Sequence, residues 1–434
     1  MDKNIIDFGA ADDGKTLCSE AIQAAIDACA ASGGGRVTIP AGTFLSGTIW
    51  LKSHVELYLA QGAVLKESTC MEDFNADDAY PQNWGSPTNE KWLGKHLIIA
   101  LECEDVALTG PGKIDGNSDI FFGEVKYYDH YFWRDGLART RDEKVLRPGQ
   151  VVCFIECSGV RVEEVTLFHA PCWGFYFYGC NVVTVHKIKV FNESTAENTD
   201  GIDIDCCSYV TVSDCIIDTG DDAIAIRADG KRLKQKGKCC EYITITNCIL
   251  GSSSDVFRLG VGTGVIRHLR VSNIVMTRGA RYIDFCTDFN GKGCACLEDI
   301  HFSGISAKEI SYPLCIRESS GAYVRNVTVE DFHVESYAGI HMCAVHQELF
   351  SDITLRNIVI WVKERPFELT EEERIRRGCY LLDSQNVSNL TLENVYFKGT
   401  SEALADWENG IRVNSCHGIC MKNVGLEKRI SVHS

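Results

Sequence analysis

Residues 198–227 read NTDGIDIDCCSYVTVSDCIIDTGDDAIAIR, and the way strands and corners follow one another here decides the fold. Apolar and polar residues alternate in IDID, YVTVS and AIAIR, the period of a strand with one face turned inward. The corners between these runs are rich in Asp, Gly, Ser and Thr and are too short to hold a helix. One corner carries Asp200, and the corner one unit later carries the pair Asp221 and Asp222.

The same unit recurs on either side, as VRVEEVTLFHAPCWGFYFYGC (160–180) and EYITITNCILGSSSDVFRLGVGTG (241–264). Repeats of roughly two dozen residues built from strands alone fit a parallel β-helix rather than βαβ units. An all-β solenoid is therefore expected, a single domain over 1–434, because each coil buries its inward residues only against its neighbours. Coils are expected over about 35–430, with loop excursions near 73–94, 117–148 and 363–379. An end coil exposes unpaired backbone and apolar surface. A helix over about 14–33 is expected to cover it, with Cys18, Ile22, Ala25, Ile26 and Cys29 on one face and Gly33 closing the run. The glycines at 33–35 follow that helix, whereas a phosphate cradle precedes one, so nucleotide binding is not indicated. A second short helix is expected at 370–377, where Thr370 and Glu373 have capping-box spacing and Gly378 ends the run.

With 60 acidic against 43 basic side chains, the net charge of −17 argues against a nucleic-acid or anionic-membrane surface. Small molecules and neutral polymers remain as partners. No stretch approaches 18 uninterrupted apolar residues, and MDKNIIDFGAADDGK lacks an apolar core behind a basic start, so a cytoplasmic location is expected. The 22 cysteines sit mostly at strand positions such as NCI, DCI and DCC, and are expected to be reduced, buried small hydrophobes. No metal or cofactor is expected: Cys206-Cys207 and Cys239-Cys240 are adjacent pairs, and Cys294-x-Cys296 stands without histidine neighbours.

Coils must stack in register, since a one-residue slip turns the apolar side outward. Taking Phe175 and Phe177, Ile202 and Ile204, Ile224 and Ile226, Phe257 and Leu259, then Ile283 and Phe285 as successive inward pairs, a count of two residues back puts Asp200, Asp222 and Asp255 in one column. Trp173 precedes them, and Asp221 falls beside Thr199 and Ser254. Coils about 4.8 Å apart gather Asp200, Asp221 and Asp222 into a patch about one sugar ring wide. Corner aspartates ordinarily satisfy local backbone donors, and Asp218 reads that way. Like charges stacked so closely destabilise unless a proton is shared or a cleft solvates them. An acid to protonate a leaving oxygen and a carboxylate to activate water is the arrangement for cleaving a glycosidic bond.

These residues, with FGAADDGKTLCSEAIQAAIDA, GGGRVTIPAGTFLSGTIWLKSHVELYLAQGAVL, LTGPGKIDG, RPGQVVCFIECSGVRVEEVTLFHAPCWGF, NTDGIDID and DTGDDAIAIR, resemble the polygalacturonase family, glycoside hydrolase family 28, over roughly residues 5–360. The resemblance implies a right-handed parallel β-helix that cleaves pectic glycosidic bonds with inversion. It implies Asp221 as general acid, Asp200 and Asp222 as the pair that activates water, and Asn198 as part of the same motif. The chain departs from the family at two motifs. Ser253-Ser254-Asp255 stands where the family has Gly-His-Gly, and Tyr282-Ile283-Asp284 where it has Arg-Ile-Lys.

An aspartate where a lysine would face a uronate turns attraction into repulsion, which makes a neutral sugar or a fragment of rhamnogalacturonan plausible as substrate. Arg227, Arg258 and Arg281 are expected either to rebuild an anion site or to stay solvated. Trp173, Tyr282 and Tyr312 are candidates for stacking a sugar. The excursions YPQNWGSPTNEKWLG and KYYDHYFWRDG fit walls that close one end of a cleft and favour exo-action on short oligosaccharides. Two other readings stand beside the hydrolase: a lyase or epimerase with Ca²⁺ on the acidic cluster, and a glycan-binding solenoid without turnover.

Overall fold

The structure, a computed structural model, describes residues 2–88, 90–127, 137–141, 145–287, 294–316, 321–347, 349–364, 380–405, 407 and 410–428. Its strands pair in parallel from coil to coil, as in Val152–Ile155 on Phe175–Tyr178, then Ile202–Asp205, then Ile224–Ala228, then Asp255–Gly262. Each coil contributes strands to three such stacks. The chain winds as a right-handed parallel β-helix, the hand that parallel crossovers take.

The register follows from which side chains can be buried. Phe175, Ile202, Ile224, Phe257 and Ile283 are aligned partners in successive coils, and all are fully buried. Aromatic members stack directly: the Phe154 and Phe177 rings lie 5.3 Å apart and nearly parallel. At one corner the backbone takes a left-handed turn that asparagine tolerates better than bulky residues. Asn273, Asn394 and Asn423 have φ near +55° there, and each side-chain amide donates to the asparagine one coil earlier at 2.8–2.9 Å.

Buried cysteines line another inner column. The Cys103, Cys157, Cys180, Cys207 and Cys240 thiols each donate to a main-chain carbonyl. All the described cysteines are free thiols, and Cys70 and Cys420 alone among them are exposed.

Ser19–Ala31 forms the helix expected at the N-terminal end, with Ile22, Ala25, Ile26 and Cys29 buried. Residues 14–17, read as the start of that helix, belong to a strand instead, Asp13–Leu17. The helix expected at 370–377 lies outside the described residues. A five-residue helix, Ser401–Ala405, was not signalled by any sequence pattern. No helix among the described residues is long and apolar enough to cross a membrane.

Candidate active site

Register delivers the carboxylates to one place. The Gly174 N–H donates to the Asp200 carbonyl, Gly201 to Asp222 and Ala223 to Asp255, at 2.9 Å each. Trp173, Asp200, Asp222 and Asp255 are thus successive rungs, as the count from the inward pairs expects. Asp255 is aligned with Arg281, and Arg281 with Tyr312. The glycine in TGDD has a steric reason: a Cβ on Gly220 would lie 2.2 Å from the Ala196 carbonyl oxygen. The same corner is tied by the Thr219 and Ser252 hydroxyls, both donating to the Asp221 carbonyl at 2.6 Å.

Asp221 itself is half-buried, the most accessible of the three. Its Oδ2 accepts the Asn198 N–H at 2.8 Å. Asn198 holds a left-handed conformation, φ +57°, and its side-chain oxygen accepts from Arg147 Nη2 at 2.8 Å. Arg147, buried, also donates to the Glu197 and Glu90 carbonyls. Its guanidinium therefore sets the turn that aims Asp221.

Asp200 and Asp222 lie deeper, each 3% exposed. Burial, with Asp203, Asp221 and Asp222 as like-charged neighbours, pushes the Asp200 carboxyl well above the usual range, and its Oδ1 has no hydrogen-bond partner among the described residues. Burial also raises Asp222; Arg258 opposes that rise, Asp221 and Asp255 add to it, and the carboxyl is pushed up to about 7. Asp203, fully buried, is raised by desolvation against the pull of Arg227.

The three arginines answer to neither expectation, open anion site or solvated charge. Their side chains are 11–22% exposed, and each bridges two carboxylates. Arg227 reaches Asp203 at 3.5 Å and Asp205 at 3.8 Å. Arg258 reaches Asp222 at 2.5 Å and Asp255 at 3.0 Å. Arg281 reaches Asp255 at 2.6 Å and Asp284 at 3.4 Å. The physical reason is desolvation: a buried guanidinium needs a carboxylate, and this floor has them in excess. Asp284, read as a charge that would repel a uronate, is held by Arg281.

Tyr282 corrects a sequence expectation. It is fully buried in the core, its hydroxyl donating to the Lys308 carbonyl at 2.8 Å, and so offers no face to a sugar. At the strand entry the backbone bends, and alternation fails for one residue. A Cβ on Gly174 would meet Leu167, and one on Gly201 would meet Ile217, so this position points inward; Ala223, Val256 and Tyr282 fill it as core residues. Ser254 is likewise buried, its carbonyl accepting the Ala280 and Arg281 N–H groups. Tyr312 is half-buried and packs against the core.

Trp173 is only 5% exposed, because Trp84 and Trp92 of the 73–94 excursion cover it at 5.7 and 5.8 Å between ring centroids. The Arg227 guanidinium lies 4.5 Å from its ring. Trp84, half-buried, is the member of the cluster that stays accessible. The excursion is pinned here by Arg232 donating to the Asn83 carbonyl. The second excursion forms an antiparallel hairpin, Phe122–Tyr127 with Leu137–Arg141, and the Arg139 N–H donates to the Thr195 carbonyl beside the Asn198 turn; residues 128–136 lie outside the described set. Asp203, Asp205, Arg147 and Trp84 were not singled out from sequence. The two aspartates were within reach, since they alternate with the inward Ile202 and Ile204.

Comparison with known proteins fits this geometry. Residues 29–320 match the model of glycosyl hydrolases family 28. The chain belongs to that family. It is accordingly a glycoside hydrolase. It is 23% identical over 425 residues to a probable polygalacturonase of Vitis vinifera, covering 90% of this chain and 82% of that one. It is 27% identical over 306 residues to an exo-poly-alpha-D-galacturonosidase of Dickeya chrysanthemi, covering 63% of this chain and 50% of that protein. Two solved structures share the fold. An exopolygalacturonase from Thermotoga maritima has TM-score 0.59 at 23% identity, covering 97% of this chain and 92% of that one. A family 28 exopolygalacturonase of Yersinia enterocolitica has TM-score 0.63 at 19% identity, covering 99% and 79%.

Farther along this face of the family 28 solenoid, one group has metal-ligand composition among the described residues: His341, Cys343 and Asp383, whose donor atoms lie within 4.8 Å of one another. Arg412 already grips both Asp383 oxygens, Nε at 2.7 Å and Nη2 at 2.6 Å. A cation there would sit against a guanidinium, so this donor set does not fit a metal.

Proposed function

We propose that this family 28 enzyme hydrolyses pectin-type oligosaccharides with inversion, Asp221 acting as general acid and Asp200 and Asp222 handling the attacking water. The observation that carries the reading is the accessibility split within one patch. Asp221 reaches the surface, where a glycosidic oxygen can take its proton, while Asp200 and Asp222 lie beneath it. Burial and mutual repulsion raise the Asp200 and Asp222 carboxyls, which makes each a stronger base once it is ionised. Asp222, kept partly ionised by Arg258, is suited to accept the proton of water once that charge is needed. The names of the relatives, polygalacturonases and an exo-galacturonosidase, support the pectic substrate class. Exo-action is supported by the Trp84, Trp92 and Trp173 wall, which stands on the coil before the trio.

The test is sugar release from galacturonan and rhamnogalacturonan oligomers by wild type and Asp221→Asn, with the anomer read by proton NMR. The expected result is saturated product of inverted configuration and a fall in kcat of about 10²–10⁴ in the variant, at unchanged Tm. An unsaturated product, or turnover in Asp221→Asn within tenfold of wild type, would overturn the assignment.

A further inference from the structure

The floor beside the trio carries more acid than base, and its bases are spoken for. Asp200, Asp203, Asp205, Asp221, Asp222, Asp255 and Asp284 face Arg227, Arg258 and Arg281 within one connected network. Every one of those guanidiniums spans two carboxylates. The neighbouring cations are engaged as well. Arg147 donates to main-chain carbonyls and Asn198, and Arg278 holds Asp218 at 2.5 Å. A ligand carboxylate laid on this floor would have to break an arginine out of a desolvated pair or stand against like charge, and both are unfavourable.

We propose that the sugar seated over the Asp222, Arg258 and Asp284 floor is uncharged, so that the enzyme takes a neutral glycosyl unit, or a uronate whose acid is esterified, where free uronate would otherwise sit. The outward residues of successive coils, Asp203, Ala225, Arg258 and Asp284, are aligned in one column, so the floor continues across four coils on the face that carries the trio. Asp203 and Asp284 are fully buried and the Arg258 side chain is 11% exposed, so the guanidinium edge is what this column offers a sugar hydroxyl. Asp284 is then a specificity-determining residue, because it holds Arg281, the most exposed of the three guanidiniums.

This inference rests on the reading of Asp200, Asp221 and Asp222 as the catalytic patch, and the experiment separates the two. The same digalacturonate and trigalacturonate skeletons are offered as free acid and as methyl ester, beside neutral disaccharides of galactose and rhamnose. Both kcat/KM with wild type and Kd with Asp221→Asn are measured. The expected result is at least tenfold preference for uncharged forms in whichever quantity is measurable. In Asp284→Asn, which releases Arg281 from one partner, the free-acid to ester ratio is expected to rise severalfold. Preference for the free acid in turnover or binding overturns the proposal. If Asp221→Asn keeps activity on every substrate, the catalytic assignment fails instead, whatever the charge preference.

Discussion

Asp200 shows how stability and function pull apart at a single residue. Its carboxyl is buried, leaves Oδ1 without a partner among the described residues and is raised well above the ordinary range. A group raised in the folded state supports folding below its unfolded pKa, and that support is lost as pH climbs through the folded value. Asp200→Asn removes the titration while keeping the shape. The variant is expected to melt above wild type by about 1 °C at pH 8, taking ~1 kcal/mol for relief of the buried charge, and by less at pH 5. Thermal unfolding at the two pH values checks this, and activity in the variant should be lost. Asp222 supplies a kinetic counterpart. With its carboxyl pushed up to about 7 and ionisation required of the base, kcat/KM is expected to rise tenfold per unit below about 7. A pH-rate profile whose lower limb bends near 4 instead would remove Asp222 from that role. The residues of this trio were legible in the sequence because spacing alone carries them into register. The arginine bridges were not, since which of two carboxylates a guanidinium takes depends on side-chain paths across coils that no linear pattern records.

At the scale of elements, the site is made by one sheet of short strands and one loop. The strands were legible through alternation, and the alignment of Ile202 with Ile224 and Phe257 follows from it. Alternation misled at the strand entry, where the bend turns two consecutive residues inward and sends Tyr282 to the core. The 73–94 excursion was legible as a wall by composition, yet which of its tryptophans faces the cleft is a matter of packing. Trp84 leans on Trp92 at 4.5 Å and stays partly accessible. Trp84→Ala is expected to raise KM for short oligosaccharides about three- to tenfold, the loss of one aromatic contact of about 0.5–1.5 kcal/mol, with kcat and Tm nearly unchanged. An equal fall in kcat would mean that the wall shapes the transition state rather than the bound sugar.

Over the whole molecule, stability comes from columns that run through successive coils, so a defect in one coil is felt by those above and below. Phe257 is fully buried, aligned with Ile224 and Ile283 and set edge-on against Phe302 at 5.4 Å. Phe257→Ala is expected to destabilise by about 3–5 kcal/mol, seen as a lower denaturant midpoint, and to blunt catalysis because Asp255 and Arg258 sit on the same strand. A loss of under 1 kcal/mol would mean that the column tolerates a gap. The distribution of thiols has a practical consequence. Interior cysteines donate to carbonyls along the inner column, while Cys70 in an early coil and Cys420 in the last strand stand exposed. At about 4.8 Å per coil, those two sulfurs are separated by roughly 50 Å along the axis. With Cys379, outside the described residues, and the half-buried Cys239, Cys294, Cys296, Cys315 and Cys416 replaced by serine, a donor and an acceptor dye on Cys70 and Cys420 turn the solenoid into an optical ruler. Fluorescence transfer between them would read coil-by-coil unravelling as a change in length.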